Sequence, residues 1–250
     1  MKRNVLIGIG AVVFFWTLLT QVPAALVYGW ARPHLTGVQL FGVDGSLDSG
    51  SLTGLNLSDH PIDEKIRWQL HPLWLLAGRL GIGIDGSGLM QLTGGVQQGI
   101  GGLRLRKLNG SGDAKAIAGL VGYGFAPISG NIRFDDLSLR LSKGVPVSAD
   151  GVVELHGLAW ALGANPATLG DFRATASTQG NNILIKVESL AGPLDANGTI
   201  TFDPGSKKYD SDLKLHPKDG ADPMLKNMLQ MSGPADATGT FHLKRSATLL

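Results

Sequence analysis

Along most of the chain, apolar and polar side chains alternate with a period of two. Ile82-Gly83-Ile84, Leu103-Arg104-Leu105, Ile132-Arg133-Phe134, Leu137-Ser138-Leu139-Arg140-Leu141, Ile183-Leu184-Ile185-Lys186-Val187, Leu213-Lys214-Leu215 and Phe241-His242-Leu243 are the clearest cases. Successive side chains of a strand point to opposite faces, so this pattern predicts strands with one wet side. Between them lie turn signals: Asp44-Gly45, Asp85-Gly86, Asn109-Gly110, Asp135-Asp136, Ser142-Lys143-Gly144, Asp150-Gly151, Asn197-Gly198 and Asp203-Pro204-Gly205. Short strands separated by closely spaced turns predict an antiparallel, all-β architecture. Strand openings of the form Gly-x-apolar-x-apolar begin at Gly130, Gly151, Gly198 and Gly239. Their uneven spacing excludes a strict solenoid and suggests hairpins added one after another to a curved sheet. Two short segments read as helices, residues 112–121 and 223–231, with Pro223 suited to a first turn and Gly233 to an end.

The N-terminus breaks the pattern. After Lys2 and Arg3 no charged side chain occurs until Arg32, and residues 5–27 form an apolar run of 23 residues. As a helix it would extend about 34 Å, enough for a hydrocarbon core of about 30 Å. Lys2 and Arg3 then keep Met1 on the cytoplasmic side and send the rest across. Trp16 falls in mid-span, Tyr28 and Trp30 fall at the far interface, and Pro23 would kink or end the helix. A cleavable secretory signal is the competing reading, with residues 5–19 as its apolar part and Val22-Pro23-Ala24 as a cleavage site. The continued apolar stretch Ala25-Leu26-Val27-Tyr28 favours an uncleaved anchor. The expected organisation is a cytoplasmic start and transmembrane helix over residues 1–30, then a β-rich periplasmic domain over residues 31–250. The expected fold is therefore all-β: one N-terminal transmembrane helix, then a curved, mainly antiparallel β-sheet domain with one or two short helices.

Composition narrows the chemistry. Cysteine is absent, which excludes disulfides, zinc–cysteine sites, iron–sulfur clusters and thiol catalysis. The net charge of +2 is carried by Lys2 and Arg3, leaving 20 basic and 20 acidic residues in positions 4–250. No large field gathers nucleic acid, and Arg104, Arg106 and Lys107 read as a solvated strand face. The 36 glycines carry no collagen period and suit positive-φ turns and bulges.

Tests for catalytic motifs return little. Gly81-Ile82-Gly83-Ile84-Asp85-Gly86 matches a dinucleotide-binding string. That motif needs a following helix to face the pyrophosphate, whereas Leu89-Met90-Gln91-Leu92 reads as another strand, so a hairpin turn is expected instead. His34, His60, His71, His156, His216 and His242 include no pair at metal-ligand spacing. The three glutamates, Glu64, Glu154 and Glu188, are scattered, and no nucleophile elbow occurs. No enzyme activity, catalytic residue, metal or cofactor is expected.

Two blocks carry a resemblance. Phe41-Gly42-Val43-Asp44-Gly45-Ser46-Leu47-Asp48-Ser49-Gly50 resembles a segment near the start of the periplasmic part of the type II secretion system protein N family. Ile66-Arg67-Trp68-Gln69-Leu70-His71-Pro72-Leu73-Trp74-Leu75-Leu76-Ala77-Gly78-Arg79-Leu80 is similar to that family's Trp-x-Leu-x-Pro segment. Weaker matches lie at Pro166-Ala167-Thr168-Leu169-Gly170 and from Tyr209 to Leu243. Ser46 stands where the family usually has threonine and Asp48 where it typically has tryptophan, so no aromatic role carries over there. The resemblance implies a non-enzymatic, accessory inner-membrane component of the machine that exports folded proteins from the periplasm. It implies the inner-membrane platform and the secretin as partners, and no catalytic residues. Trp68 and Trp74, flanking the Leu70-His71-Pro72-Leu73 corner, suit corner packing and are the candidates for partner contact. The alternative is a membrane-anchored, periplasmic lipid-binding or lipid-transfer module with an apolar groove, since the same alternation can line an open channel.

Overall fold

The fold is seen in a computed structural model that describes Thr17 and residues 21–32, 38–57, 60–62, 64–70, 80–88, 90–99, 101–120, 125–160 and 166–248. The chain divides into two compact units, Met1–Ile100 and Gly101–Leu250.

In the first unit, helix α1 (Ala24–Ala31) precedes strands β1 (Val38–Phe41), β2 (Asp44–Gly45), β3 (Ser49–Leu52), β4 (Gly54–Leu57), β5 (His60–Ile62), β6 (Glu64–Leu70), β7 (Leu80–Gly88) and β8 (Met90–Gly99). β1, β4 and β5 form a small antiparallel sheet, while β2, β3, β6, β7 and β8 pair in that order. Pro23 has an extended backbone (φ −60°, ψ 129°), and α1 begins immediately after it. A proline is tolerated at a helix start, where the first N–H groups have no intrahelical partner in any case. Among the described residues no helix is long and apolar enough to cross a membrane. Most of the expected span, residues 5–27, lies outside the described residues. The Tyr28 hydroxyl accepts a hydrogen bond from the Leu40 amide at 2.7 Å, tying α1 to β1.

The second unit holds β9 (Gly102–Asp113), α2 (Ala114–Leu120), β10 (Ile128–Ser142), β11 (Val145–Trp160), β12 (Ala167–Gln179), β13 (Asn182–Ala191), β14 (Leu194–Asp203), β15 (Lys208–Pro217), α3 (Pro223–Met231) and β16 (Phe241–Thr248). The strands from β9 to β16 follow one another across an open, curved antiparallel sheet in chain order. The expected all-β, antiparallel architecture and the helix at 223–231 are therefore present. The helix expected over 112–121 covers Ala114–Leu120, because Gly112 and Asp113 complete β9.

Several expected turns are not turns. Ser142-Lys143-Gly144 and Asp203-Pro204-Gly205 do reverse the chain, but Asp85-Gly86 and Asn197-Gly198 lie inside β7 and β14. The expected hairpin turn at Gly81–Gly86 is likewise the interior of β7, with β8 following as a strand. Asp44-Gly45 is the short strand β2. Asn109-Gly110, Asp135-Asp136 and Asp150-Gly151 sit at irregularities within β9, β10 and β11. There the register shifts between Asp135 and Ser138, with Asp136 at φ 48° and Gly151 at φ 136°. A Cβ at Gly151 would lie 2.6 Å from the Leu137 Cα, so the bulge requires glycine on both conformational and steric grounds. Asn109 and Asp136 lock it from the neighbouring strand: the Asp136 amide donates to Asn109 Oδ1 at 2.8 Å and Asn109 Nδ2 donates to Asp136 Oδ1 at 3.1 Å. Residues that form turns can equally form bulges, which is how β10 and β11 reach 15 and 16 residues.

Candidate interaction surface

The register of the second unit sorts its side chains onto two unlike faces. One row runs Phe134–Val153–Ala174–Val187–Gly198–Leu213–Leu243 from β10 to β16 and is apolar throughout. Beside it, helix α3 covers one end of the same face. Phe172, Leu194, Ala196, Ala221, Leu225, Leu229 and Phe241 form a buried cluster there, with Leu225 only 1% exposed. The helix is placed by its start: Asp222 caps it by accepting from the Met224 amide at 2.8 Å, and Pro223 follows with its preset φ. Farther along the face a second cluster gathers Ala149, Ile183 and Phe202 against Leu139, Ile185 and Tyr209. The row between the clusters, from Phe134 to Leu243, is half-buried. An apolar row of this length that is only partly removed from water is a surface able to take a further apolar partner.

The opposite face carries the charges in an equally regular row. Arg133, Glu154, Arg173 and Glu188 face one another across β10 to β13, and Asn197, Lys214 and His242 continue the row. Arg173 Nη2 lies 2.7 Å from Glu154 Oε1 and Arg173 Nη1 lies 3.6 Å from Glu188 Oε1, while Lys186 reaches Glu188 at 3.3 Å. The hydrogen bonds from Arg173, followed by that from His156, hold the Glu154 carboxyl below its usual range against the opposing effect of burial. The same pairing with Glu154 raises Arg173. Opposite charges directly across strands stabilise a sheet, and on a wet face each pair is individually weak. The row works as a register mark as much as a source of stability.

At the end of this sheet, the loop before β16 is tied by Asp236. One carboxylate oxygen, Oδ1, accepts from the Thr238 hydroxyl at 2.6 Å, the Thr238 amide at 2.8 Å and the Thr240 amide at 3.0 Å. His242 Nε2 lies 2.9 Å from the other oxygen. The Thr238 hydroxyl, then His242 and the backbone amides, lower the Asp236 pKa well beneath the ordinary carboxylate range. Neither this clamp nor the charge row stands out in the sequence, although Asp236-Ala237-Thr238-Gly239 has the composition of an Asx turn.

Of the two tryptophans singled out from the sequence, Trp74 lies outside the described residues. Trp68 is half-buried in the middle of β6, in a row Gly50–Trp68–Ile84–Gly94. Its ring lies over the Gly50 backbone, where a Cβ would come within 2.3 Å of Trp68 Cζ2. A hollow of about 560 Å³ opens beside it, lined among others by Gly50, Trp68, Ile84 and Thr93. Near it, Asp48 accepts from the Ser46 hydroxyl, and its carbonyl accepts from the Leu70 amide at 2.6 Å.

The family model for type II secretion system (T2SS), protein N, matches residues 36–244. The chain belongs to that family. No curated protein and no solved structure matches it. The match runs through both compact units, so Trp68 of the first and the two-faced sheet of the second are both parts of a protein N chain. It makes the protein a type II secretion component, in a family not known for catalysis.

Proposed function

We propose that this protein N is an accessory inner-membrane component of the type II secretion system that acts by protein–protein contact and not by catalysis. One N-terminal membrane helix would hold it, with its first residues cytoplasmic and residues 31–250 periplasmic. The apolar run of residues 5–27 would extend about 34 Å as a helix, enough for a span. Its partners would be the inner-membrane platform and the secretin, in the export of folded proteins across the outer membrane. The family match over residues 36–244 carries this reading. The half-buried apolar row and the outer edge of β16, which among the described residues pairs only with β15, support contact as the mode of action, and Trp68 over Gly50 is the aromatic we assign to partner contact. Deleting the gene should reduce secretion of the system's substrates, and the full chain, purified in detergent, should retain platform or secretin proteins. Normal secretion together with no retained component would overturn the reading.

The half-buried row from Phe134 to Leu243 also favours a second reading, a periplasmic surface for acyl chains. Native mass spectrometry of the full chain distinguishes the two. Copurifying lipid that is lost when Leu213 and Val187 are changed to glutamate supports the lipid module. A lipid-free protein excludes it.

A further inference from the structure

β16 closes the strand order of the second unit and, among the described residues, pairs only with β15. The pairing runs from Lys208 opposite Thr248 to Leu215 opposite Phe241 without a register shift, and β16 contains no proline. It is thus a regular edge of eight residues, free of the bulges and prolines that usually blunt exposed edges. Its direction follows from one hydrogen bond. The Ser211 hydroxyl donates to the Arg245 carbonyl oxygen at 3.2 Å, so the Arg245 carbonyl points toward β15. Backbone groups of successive strand residues point to opposite sides, so those of His242, Lys244 and Ser246 face outward, unclaimed by the sheet.

The side chains decide what can pair there. Phe241 and Leu243 extend the apolar face, while His242 and Lys244 extend the charged face. Lys244 is exposed and reaches Asp212 at 3.1 Å, one more alternation of sign across strands. A second copy is a poor occupant. Antiparallel self-pairing centred on Lys244 or on Arg245 sets like charges directly opposite, which destabilises a sheet. Arg245, on the apolar side of an edge, is a further device against self-association. A strand with acidic side chains opposite His242 and Lys244, and apolar ones opposite Phe241 and Leu243, meets neither obstacle. It would continue both rows of the sheet.

We infer that β16 is a docking edge that takes an extended segment of a partner protein, with acidic and apolar residues alternating, as an added antiparallel strand. This deepens the contact role proposed above and rests on it. The test uses the full chain in detergent and two labelled peptides, one alternating valine with glutamate and one alternating valine with lysine, read by fluorescence anisotropy. The glutamate peptide should bind and weaken as salt rises; the lysine peptide should bind at least tenfold more weakly. Lys244→Glu should reverse that preference. Ser246→Pro removes an outward N–H without touching the β15 pairing, and should cost at least tenfold for the glutamate peptide. Circular dichroism confirms folding of each variant, and Lys244→Glu keeps the test readable if Ser246→Pro unfolds. Equal binding of the two peptides, or no change in either folded variant, overturns the assignment, as does self-association that Ser246→Pro abolishes. Secretion components retained by a chain that binds neither peptide would sink the edge alone. Loss of both would sink the contact role itself.

Discussion

A paired substitution tests whether the apolar face of the second unit is covered at one end and open beyond it. Leu225 of α3 packs down onto the face of the sheet to which Leu213 belongs, yet Leu225 is 1% exposed while Leu213 is half-buried in the open row. Leu→Ala removes the same three carbons at both sites. At about 0.8 kcal/mol per buried methylene, the transfer loss at a fully buried site is about 2.4 kcal/mol. Leu225 sits among Phe172, Leu194 and Leu229, so its removal leaves a closed void. That adds a cavity cost, for a total of about 3–4 kcal/mol. At Leu213 only about half the area is lost, neighbours and solvent can fill the gap, and the cost should be about 1 kcal/mol. Urea denaturation of the intact chain followed by circular dichroism gives the total. Hydrogen exchange read by mass spectrometry on peptides from β12 to β15 assigns it to the second unit. A Leu213→Ala penalty equal to that of Leu225→Ala would show that the row is covered, and would remove the open face from the argument.

Other consequences follow from the polar side. Asp236 has a folded-state pKa below its unfolded value, so its contribution is present above the ordinary carboxylate range and is lost as pH falls through that range and below. Thermal melts across pH should show Asp236→Asn less stable than the parent near neutrality, with the difference closing on acidification below about pH 4. Glu154→Gln leaves Arg173 and His156 without their shared carboxylate, and should lower Tm by an amount that shrinks as salt is added, because Arg173 and His156 remain partly open to solvent. Gly198→Ala puts a Cβ 2.1 Å from the Asp212 carbonyl oxygen and should destabilise by about 1–3 kcal/mol on urea titration, through forced separation of β14 and β15. Gly144→Ala, whose Cβ meets no atom within 4 Å, bears only the positive φ of the β10–β11 turn and should cost about 1 kcal/mol.

The strands were legible because one face of each is wet and the other apolar, so Ile132-Arg133-Phe134 or Leu213-Lys214-Leu215 shows its period without any tertiary information. Helix α3 was legible because Pro223 suits a first turn and Gly233 an end, whereas the cap at Asp222 shows only in the structure. The bulges were not. Asp136 and Gly151 have the chemistry of turn residues, and only the strand opposite decides whether the chain reverses there or merely kinks. The charge row was hidden for the same reason. Glu154 lies opposite both Arg133 and Arg173 only when the shifts at 135–138 and 155–158 are counted correctly. The free edge at β16 was hidden more deeply, since an alternating strand reads alike whether or not a neighbour lies beyond it.

These hidden features constrain one another. A slip of one residue in any pairing would carry Arg173 or Glu188 into the row of Phe134 and Leu213, and a leucine into the row of charges. Both errors cost free energy, so the two faces fix one register between them. That explains how a sheet with a half-buried apolar row can hold its shape without a layer packed over all of it. Its order comes from pairing specified on both faces, with the filled core, among the described residues, beneath α3 and around Phe202. A sheet ordered in this way can leave an apolar face and, among the described residues, an unpaired edge at β16 available for contact, as the proposed role requires.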